Sequence, residues 1–223
     1  MRRGEETIGA LAEPEVDDAL DRYDGAALES KFSVEGAELA DTPSFAGAEA
    51  GSGEFVNVRM TGASFSETRF RGVRLLDVVA RGLDATSADW TGTAMSRVLF
   101  ENCRLTGFQV PEADLKDVTF KRCKIDYGNF RMARLENVTF DGCVFDDTDF
   151  SNGVLERVEF PSCEIRDTDF HGARMSRVDL SGAQLALRGS AASLRGAIIS
   201  PLQLIDLAPA MAQEIGIEVE DGD

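Results

Sequence analysis

The chain has 223 residues, 43% of them hydrophobic, and a net charge of −17. This length allows one large domain or two small ones with a buried core, and such an acidic chain is a poor direct ligand for nucleic-acid phosphates. No apolar run approaches the ~18 residues that span a membrane. The basic residues at the start have no apolar segment behind them, so we expect no secretory signal and a cytoplasmic protein.

Residues 1–35 are predicted to form an acidic N-terminal segment outside the regular part of the chain. Scattered apolar positions between Val16 and Leu28 are compatible with a short helix. A five-residue pattern begins between Phe32 and Phe45 but slips by one position, and by Phe55 it is regular. We therefore expect the regular structure to begin near residue 36.

From Thr61 to Leu180 the sequence divides into six rows of twenty residues without an insertion. A large apolar residue recurs at every fifth position, as in the column Phe100, Phe120, Phe140 and Phe160, with a smaller residue two places earlier. Neither the helical period of 3.6 nor the strand period of 2 explains this spacing. A period of five nested in twenty predicts square coils with four five-residue sides, whose large residues point inward.

Glycine recurs two places after the large residue, where a square coil needs corners with unusual backbone angles. The glycines at these predicted corners are Gly62, Gly72, Gly82, Gly92, Gly142, Gly172 and Gly182.

Units such as Ala63-Ser64-Phe65-Ser66-Glu67 and Ala192-Ser193-Leu194-Arg195-Gly196 resemble the pentapeptide-repeat family. The resemblance covers roughly residues 36–199. It implies an all-β fold, a right-handed quadrilateral β-helix, closed by a short C-terminal α-helical cap at residues 200–223. With coils spaced at ~4.8 Å, the six rows would make a rod roughly 30 Å long.

Four cysteines invite a metal or disulfide interpretation. Cys103, Cys123, Cys143 and Cys163 are spaced by twenty, all in the small inward column. Stacked side chains in one column point the same way, which keeps their sulfurs apart. We therefore interpret them as small buried core residues.

The C-terminal part departs from the repeat after Leu185, because the next unit centres on Leu194, nine residues on. Ser200-Pro201 predicts a helix start, Pro209 predicts a second short helix through about Glu214, and residues 217–219 predict a small strand. This region resembles the C-terminal module of the Qnr- and MfpA-type quinolone-resistance proteins, which implies a homodimer; simple capping of the open coil is the alternative. The candidate interface residues are Ile199, Leu202, Leu204, Ile205, Leu207, Ile217 and Val219.

The sequence contains no pattern of an enzyme. The single histidine, His171, falls at an outward corner, and no phosphate loop, metal-ligand spacing or nucleophile elbow is present. We expect no catalytic residue, metal, cofactor or small-molecule substrate.

The acidic charge is distributed unevenly. Residues 1–60 carry 5 basic and 14 acidic side chains (net −9), residues 61–185 carry 16 and 20 (net −4), and residues 186–223 carry 2 and 6 (net −4). Stacking nevertheless predicts an acidic stripe on one edge of the later coils, with ordinary charge scatter as the alternative. Its residues are Asp126, Asp146, Asp147, Asp149, Glu164, Asp167 and Asp169.

Two functions remain open. Resemblance to the Qnr and MfpA types implies a DNA mimic that binds a type II topoisomerase, DNA gyrase or topoisomerase IV, and modulates it or protects it from quinolone-like inhibitors. The alternative is a general protein-interaction scaffold whose acidity serves solubility.

Overall fold

The computed structural model describes residues 11–23, 28, 31–40, 44–187 and 189–218. In chain order the elements are β1 (Asp21–Arg22), β2 (Lys31–Ala40), β3 (Glu49–Ala50), β4 (Ser52–Thr61), β5 (Arg69–Phe70), β6 (Arg74–Arg81), β7 (Ala94–Glu101), β8 (Asp114–Lys121), β9 (Lys124–Asp126), β10 (Arg134–Asp141), β11 (Val144–Asp146), β12 (Val154–Glu159), β13 (Glu164–Thr168), β14 (Arg174–Asp179), β15 (Gln184–Leu187), a 3-10 helix (Ala191–Leu194), β16 (Ala197–Ile198) and α1 (Pro201–Glu214). Within the described residues, no helix is long and apolar enough to cross a membrane.

The strands stack in parallel into a right-handed quadrilateral β-helix of about eight turns, as the five-residue period predicts. Partners in neighbouring coils are twenty residues apart, as in the pairs Val98↔Val118 and Val118↔Val138. The register is twenty-one between β2 and β4 (Lys31↔Ser52) and nineteen between β14 and β16 (Val178↔Ala197). Both slips in the sequence pattern are thus real changes in coil length.

Each coil has four sides, numbered here by their inward residues in the middle of the rod. Side 1 contains Ile125 and Phe145, side 2 Phe130 and Phe150, side 3 Leu115 and Leu135, and side 4 Phe120 and Phe140, all buried. On side 4 the rings of Phe100, Phe120, Phe140 and Phe160 stack with successive centroid distances of 5.0, 4.8 and 5.0 Å. Parallel stacking of identical rings at the coil spacing fixes the register of the rod.

The corners are more regular than the glycines suggested. Every fifth residue from Asn57 to Arg177 has a positive φ, whether or not it is glycine. At each corner the backbone can bond to the next coil; for example, Glu67 N donates to Thr86 O at 2.8 Å. The prediction for Gly182 is wrong, because this glycine lacks a positive φ; it follows the last regular corner, at Arg177.

The cysteine prediction is confirmed. All four thiols are reduced and buried, and each donates to a backbone carbonyl of the preceding coil, as Cys143 Sγ does to Phe120 O at 3.3 Å. The cysteines are therefore satisfied core residues.

At the N-terminal end, the predicted helix between Val16 and Leu28 is absent from the described residues 16–23. These residues are extended instead, and β1 pairs with β2 through Asp21↔Ala37 and Arg22↔Glu38. Pairing with β2 gives the backbone N–H and C=O groups of β1 hydrogen-bond partners, whereas a short isolated helix is only marginally stable in water. Regular pairing also begins earlier than residue 36, because β2 starts at Lys31.

At the C-terminal end, a single helix replaces the two short helices predicted. Pro209 lies inside α1, which runs unbroken from Pro201 to Glu214. The hydrogen bond that proline cannot donate is tolerable here because this part of the helix is exposed to water. The predicted strand is absent at residues 217–218, and Val219 lies outside the described residues.

Gln203 closes the last coil. Its Nε2 donates to Leu180 O at 2.8 Å and to Ala183 O at 2.7 Å, while its Oε1 accepts from Ser200 N at 2.7 Å. The Ser200 hydroxyl caps the helix in return by accepting from Gln203 N. One buried side chain thus caps both the helix and the solenoid.

Candidate partner-binding surfaces

The solenoid brings the seven acidic residues predicted as a stripe to one edge, on sides 1 and 2. Asp126 and Asp146 are register partners on neighbouring coils, and Asp149 and Asp169 pair in the same way. Stacking therefore aligns carboxylates that are twenty residues apart in the sequence.

Two carboxylates of this stripe, on neighbouring coils, are largely neutralised by neighbouring cations. Asp126 is buried, with 8% of its surface exposed, and its Oδ2 lies 2.9 Å from Lys124 Nζ. Asp149 pairs with Arg131 at 3.4 Å and accepts a backbone hydrogen bond from Ser151. These two carboxylates present little uncompensated charge.

The later coils retain more negative charge. Glu164 pairs with Arg166. Asp146, Asp167 and Asp169 have no ion pair with any residue that the structure describes, and Asp167 is exposed. The part of the stripe that can attract a basic partner therefore lies toward the C-terminal end of the rod.

Two residues that the sequence did not identify lie beside this stripe. Tyr127 is 60% exposed and Met132 is 51% exposed. Both occupy positive-φ corners of one coil, at either edge of side 2. Both residues lie in columns of the repeat that face water, and the sequence therefore did not single them out. The structure shows that they are exposed corner residues.

The predicted interface residues fall into two groups. Leu202, Leu204, Ile205 and Ile217 expose 74%, 50%, 67% and 55% of their surfaces. In contrast, Ile199 and Leu207 are partly buried against the core, and Val219 lies outside the described residues.

The sequence missed two further apolar residues of this region. Ile198 is 51% exposed and Ile215 is 73% exposed. The C-terminal module therefore presents a larger apolar surface than the sequence predicted.

Side 4 is covered in part by residues 11–20, which we call the N-terminal strap. Val79 and Leu99 face outward from this side, yet only 4% and 2% of their surfaces are exposed. Glu13 in the strap pairs with Arg81 at 3.1 Å, and Asp17 exchanges hydrogen bonds with Asn57. The strap thus contacts coils that lie far from it in the sequence.

Where the strap begins at Leu11, a shallow groove of about 410 Å³ continues along side 4. Leu11 and Pro14 line one part of it, and Leu99, Thr139 and Pro161 line the coils beneath. Glu13, Lys121, Asp141 and Glu159 also line this groove.

The described residues contain no group of three or more His, Cys, Asp or Glu side chains that could hold a metal ion. His171 is exposed, as predicted. Hydrogen bonding to Cys123 and burial raise the pKa of Cys103 and Cys143, whereas the same hydrogen bonds lower the pKa of Cys123.

Comparisons with known proteins agree with the geometry of the repeat. A sequence model of the pentapeptide repeat region matches residues 93–170 and 129–188. No curated protein sequence gives a significant match.

Solved structures share the architecture at low identity. A trypsin-treated variant of QnrB1, a plasmid-mediated fluoroquinolone resistance protein, is 17% identical, with 86% of this chain and 100% of that chain covered and a TM-score of 0.52. HetL, a pentapeptide repeat protein involved in heterocyst differentiation regulation from the cyanobacterium Nostoc sp. strain PCC 7120, is 18% identical, with 78% and 88% covered and a TM-score of 0.33. At 17% identity the likeness to QnrB1 concerns the fold alone. The five-residue period, the square coils and the family-model match together show that residues 93–188 form a pentapeptide-repeat region.

Proposed function

We propose that this protein acts without catalysis, as a DNA mimic that binds DNA gyrase and modulates it or protects it from quinolone-like inhibitors. The observation that carries the proposal is the acidic stripe on one edge of an uninterrupted rod, beside an exposed apolar end. The fold shared with QnrB1, a fluoroquinolone resistance protein, supports the choice of partner. Four reduced, buried thiols suit the cytoplasm, where gyrase acts.

The net charge of the rod is much smaller than that of duplex DNA of the same length. Duplex DNA carries about one charge per 1.7 Å, or roughly 18 over 30 Å. Residues 61–185 carry 16 basic and 20 acidic side chains, a net charge of −4. The rod therefore imitates DNA locally, through Asp146, Asp167 and Asp169, rather than along its whole length.

We propose that the C-terminal module forms a homodimer. Leu202 and Ile205 lie one helical turn apart on α1 and are mostly exposed, so a second copy would remove a contiguous apolar surface from water. Light scattering after size exclusion should give twice the chain mass of 24.2 kDa. Ile205→Asp should give the monomer, whereas Gln213→Glu on the same helix should leave the dimer intact; a monomeric wild type would refute the dimer.

Gyrase supercoiling, measured with and without a quinolone at micromolar dimer, tests the partner. We expect the protein to change supercoiling or to reduce quinolone-dependent DNA cleavage. The triple variant Asp146→Asn, Asp167→Asn, Asp169→Asn should lose this effect. A control with the same charge change elsewhere, Glu112→Gln, Asp114→Asn, Asp179→Asn, should retain it; the absence of any wild-type effect would reject gyrase.

A general interaction scaffold is the second candidate, and the ion pairs within the stripe favour it. Lys124 and Arg131 neutralise carboxylates that a faithful DNA mimic would present. A scaffold that uses another side would bind its partner equally well with either triple variant. Quantitative pull-down with wild type and the two variants separates the candidates.

A further inference from the structure

Within the described residues, large apolar side chains are exposed in only two places. Six belong to the C-terminal module between Ile198 and Ile217, and the other two are Tyr127 and Met132. On side 4 the outward-facing Val79 and Leu99 lie beneath the N-terminal strap. Tyr127 and Met132 have no such cover from the strap or from α1.

The fold does not require these side chains. Their corners have φ values of 55° and 56°, a conformation that bulky residues rarely adopt and that asparagine and glycine accept more readily. Other corners use Asn102, Asn152 or Gly142, and also charged residues such as Arg122. Neither Tyr127 nor Met132 fills the core, so packing within the rod does not account for these two apolar side chains.

The position of the pair identifies the chemistry of a partner. Tyr127 shares its corner column with Asp147 and Asp167, each one coil further along, and Tyr127 N donates to Asp146 O at 2.7 Å. Between the two corners, side 2 continues from Asn129 into Asp149 and Asp169. Asp149 is paired with Arg131, but Asp167 and Asp169 have no ion pair among the described residues. These two carboxylates disfavour nucleic acid and anionic lipid and favour a cationic protein segment.

An aromatic face beside carboxylates suits arginine in particular. Guanidinium stacks on a tyrosine ring and donates hydrogen bonds to carboxylates at the same time, whereas an ammonium group is held mainly by charge. Methionine adapts to irregular apolar surfaces, and tyrosine is enriched among residues that dominate binding energy. We propose that Tyr127 and Met132 anchor an arginine-rich segment of the partner protein, with one arginine stacked on Tyr127; this rests on the proposed use of the stripe for protein binding.

The test compares nona-arginine with nona-lysine by fluorescence anisotropy on the full chain. Wild type should bind nona-arginine about two- to fivefold more tightly than nona-lysine. Tyr127→Asn should reduce that preference by removing the stacked ring, while leaving the affinity for nona-lysine unchanged. Because asparagine suits the corner, this variant should be at least as stable as wild type to denaturant, which excludes unfolding as the cause.

A control variant of identical amino-acid composition moves the tyrosine to another corner. The double variant Tyr127→Asn, Asn137→Tyr places tyrosine at the diagonally opposite corner, whose φ is 57°, and should show the same reduced arginine preference as Tyr127→Asn. Equal affinity of wild type for both peptides, or an arginine preference that Tyr127→Asn leaves unchanged, would overturn the inference.

The same variants separate this inference from the choice of gyrase. If the arginine preference depends on Tyr127 but gyrase is unaffected by the wild type, the anchor stands and the partner is a different basic protein. If the carboxylate triple variant loses its gyrase effect while Tyr127→Asn retains both that effect and the peptide preference, the stripe stands and the anchor is wrong.

Discussion

At the N-terminal end of the rod the chain covers its own apolar surface, whereas at the C-terminal end it leaves such surface exposed. The strap lies over Val79 and Leu99 and reduces their exposure to 4% and 2%. The closing helix satisfies the last coil through Gln203 but leaves Leu202 and Ile205 74% and 67% exposed. The side surface beneath the strap is therefore buried within a single chain, whereas the C-terminal helix leaves apolar surface that a second molecule could cover.

Among the variants that test this difference between the two ends, Gln203→Ala should cause the largest loss of stability. Gln203→Ala removes hydrogen bonds to two buried carbonyls and one member of the helix capping box. We expect a loss of about 2–4 kcal/mol in the free energy of unfolding, measured by urea denaturation.

Gln213→Ala on the exposed face of the same helix provides the control and should change stability by less than about 0.5 kcal/mol. If the two variants were equally stable, the C-terminal closure would not depend on the Gln203 side chain.

The N-terminal end should respond to Leu99, which faces outward beneath the strap. Leu99→Ala should cost about 2 kcal/mol and should increase protease cleavage within residues 11–20. Leu76→Ala removes an outward leucine from side 3, which the strap does not cover, and should cost less than about 1 kcal/mol. Equal losses for the two variants would mean that the strap adds no burial.

The sequence predicted those parts of the fold that repeat. The columns of inward residues, the buried cysteines and both changes of coil length, before Phe55 and near Leu194, follow from the five-residue period alone. A periodic pattern reports packing against identical neighbours, and contacts between neighbouring coils supply most of the stability of a solenoid.

The features that the sequence did not predict depend on contacts that occur at one place in the rod and do not recur from coil to coil. Glu13 meets Arg81 across 68 positions, and no local pattern marks a strap. No sequence pattern identifies Gln203, because its buried partners are backbone carbonyls of an earlier coil. Tyr127 was missed because the corner conformation is imposed by stacking, which overrides its local preference.

The smallest effect concerns the ion-pair network beneath the strap and its pH dependence. A hydrogen bond from Arg81, aided by the charge of Arg122, lowers the pKa of Glu101 below its usual value of 4.5. A carboxylate with a lowered folded-state pKa stabilises the protein above its unfolded pKa, and this contribution disappears as pH falls through the folded value.

Glu101→Gln should therefore cost about 0.5 kcal/mol at pH 7, after allowance for solvent screening, and less at pH 3. Denaturation of both proteins at the two pH values measures the difference. Asp114→Asn, which removes a carboxylate without an ion pair among the described residues, should show no such pH dependence. A Glu101→Gln deficit that persisted at pH 3 would mean that Glu101 stabilises the strap side through packing rather than through its charge.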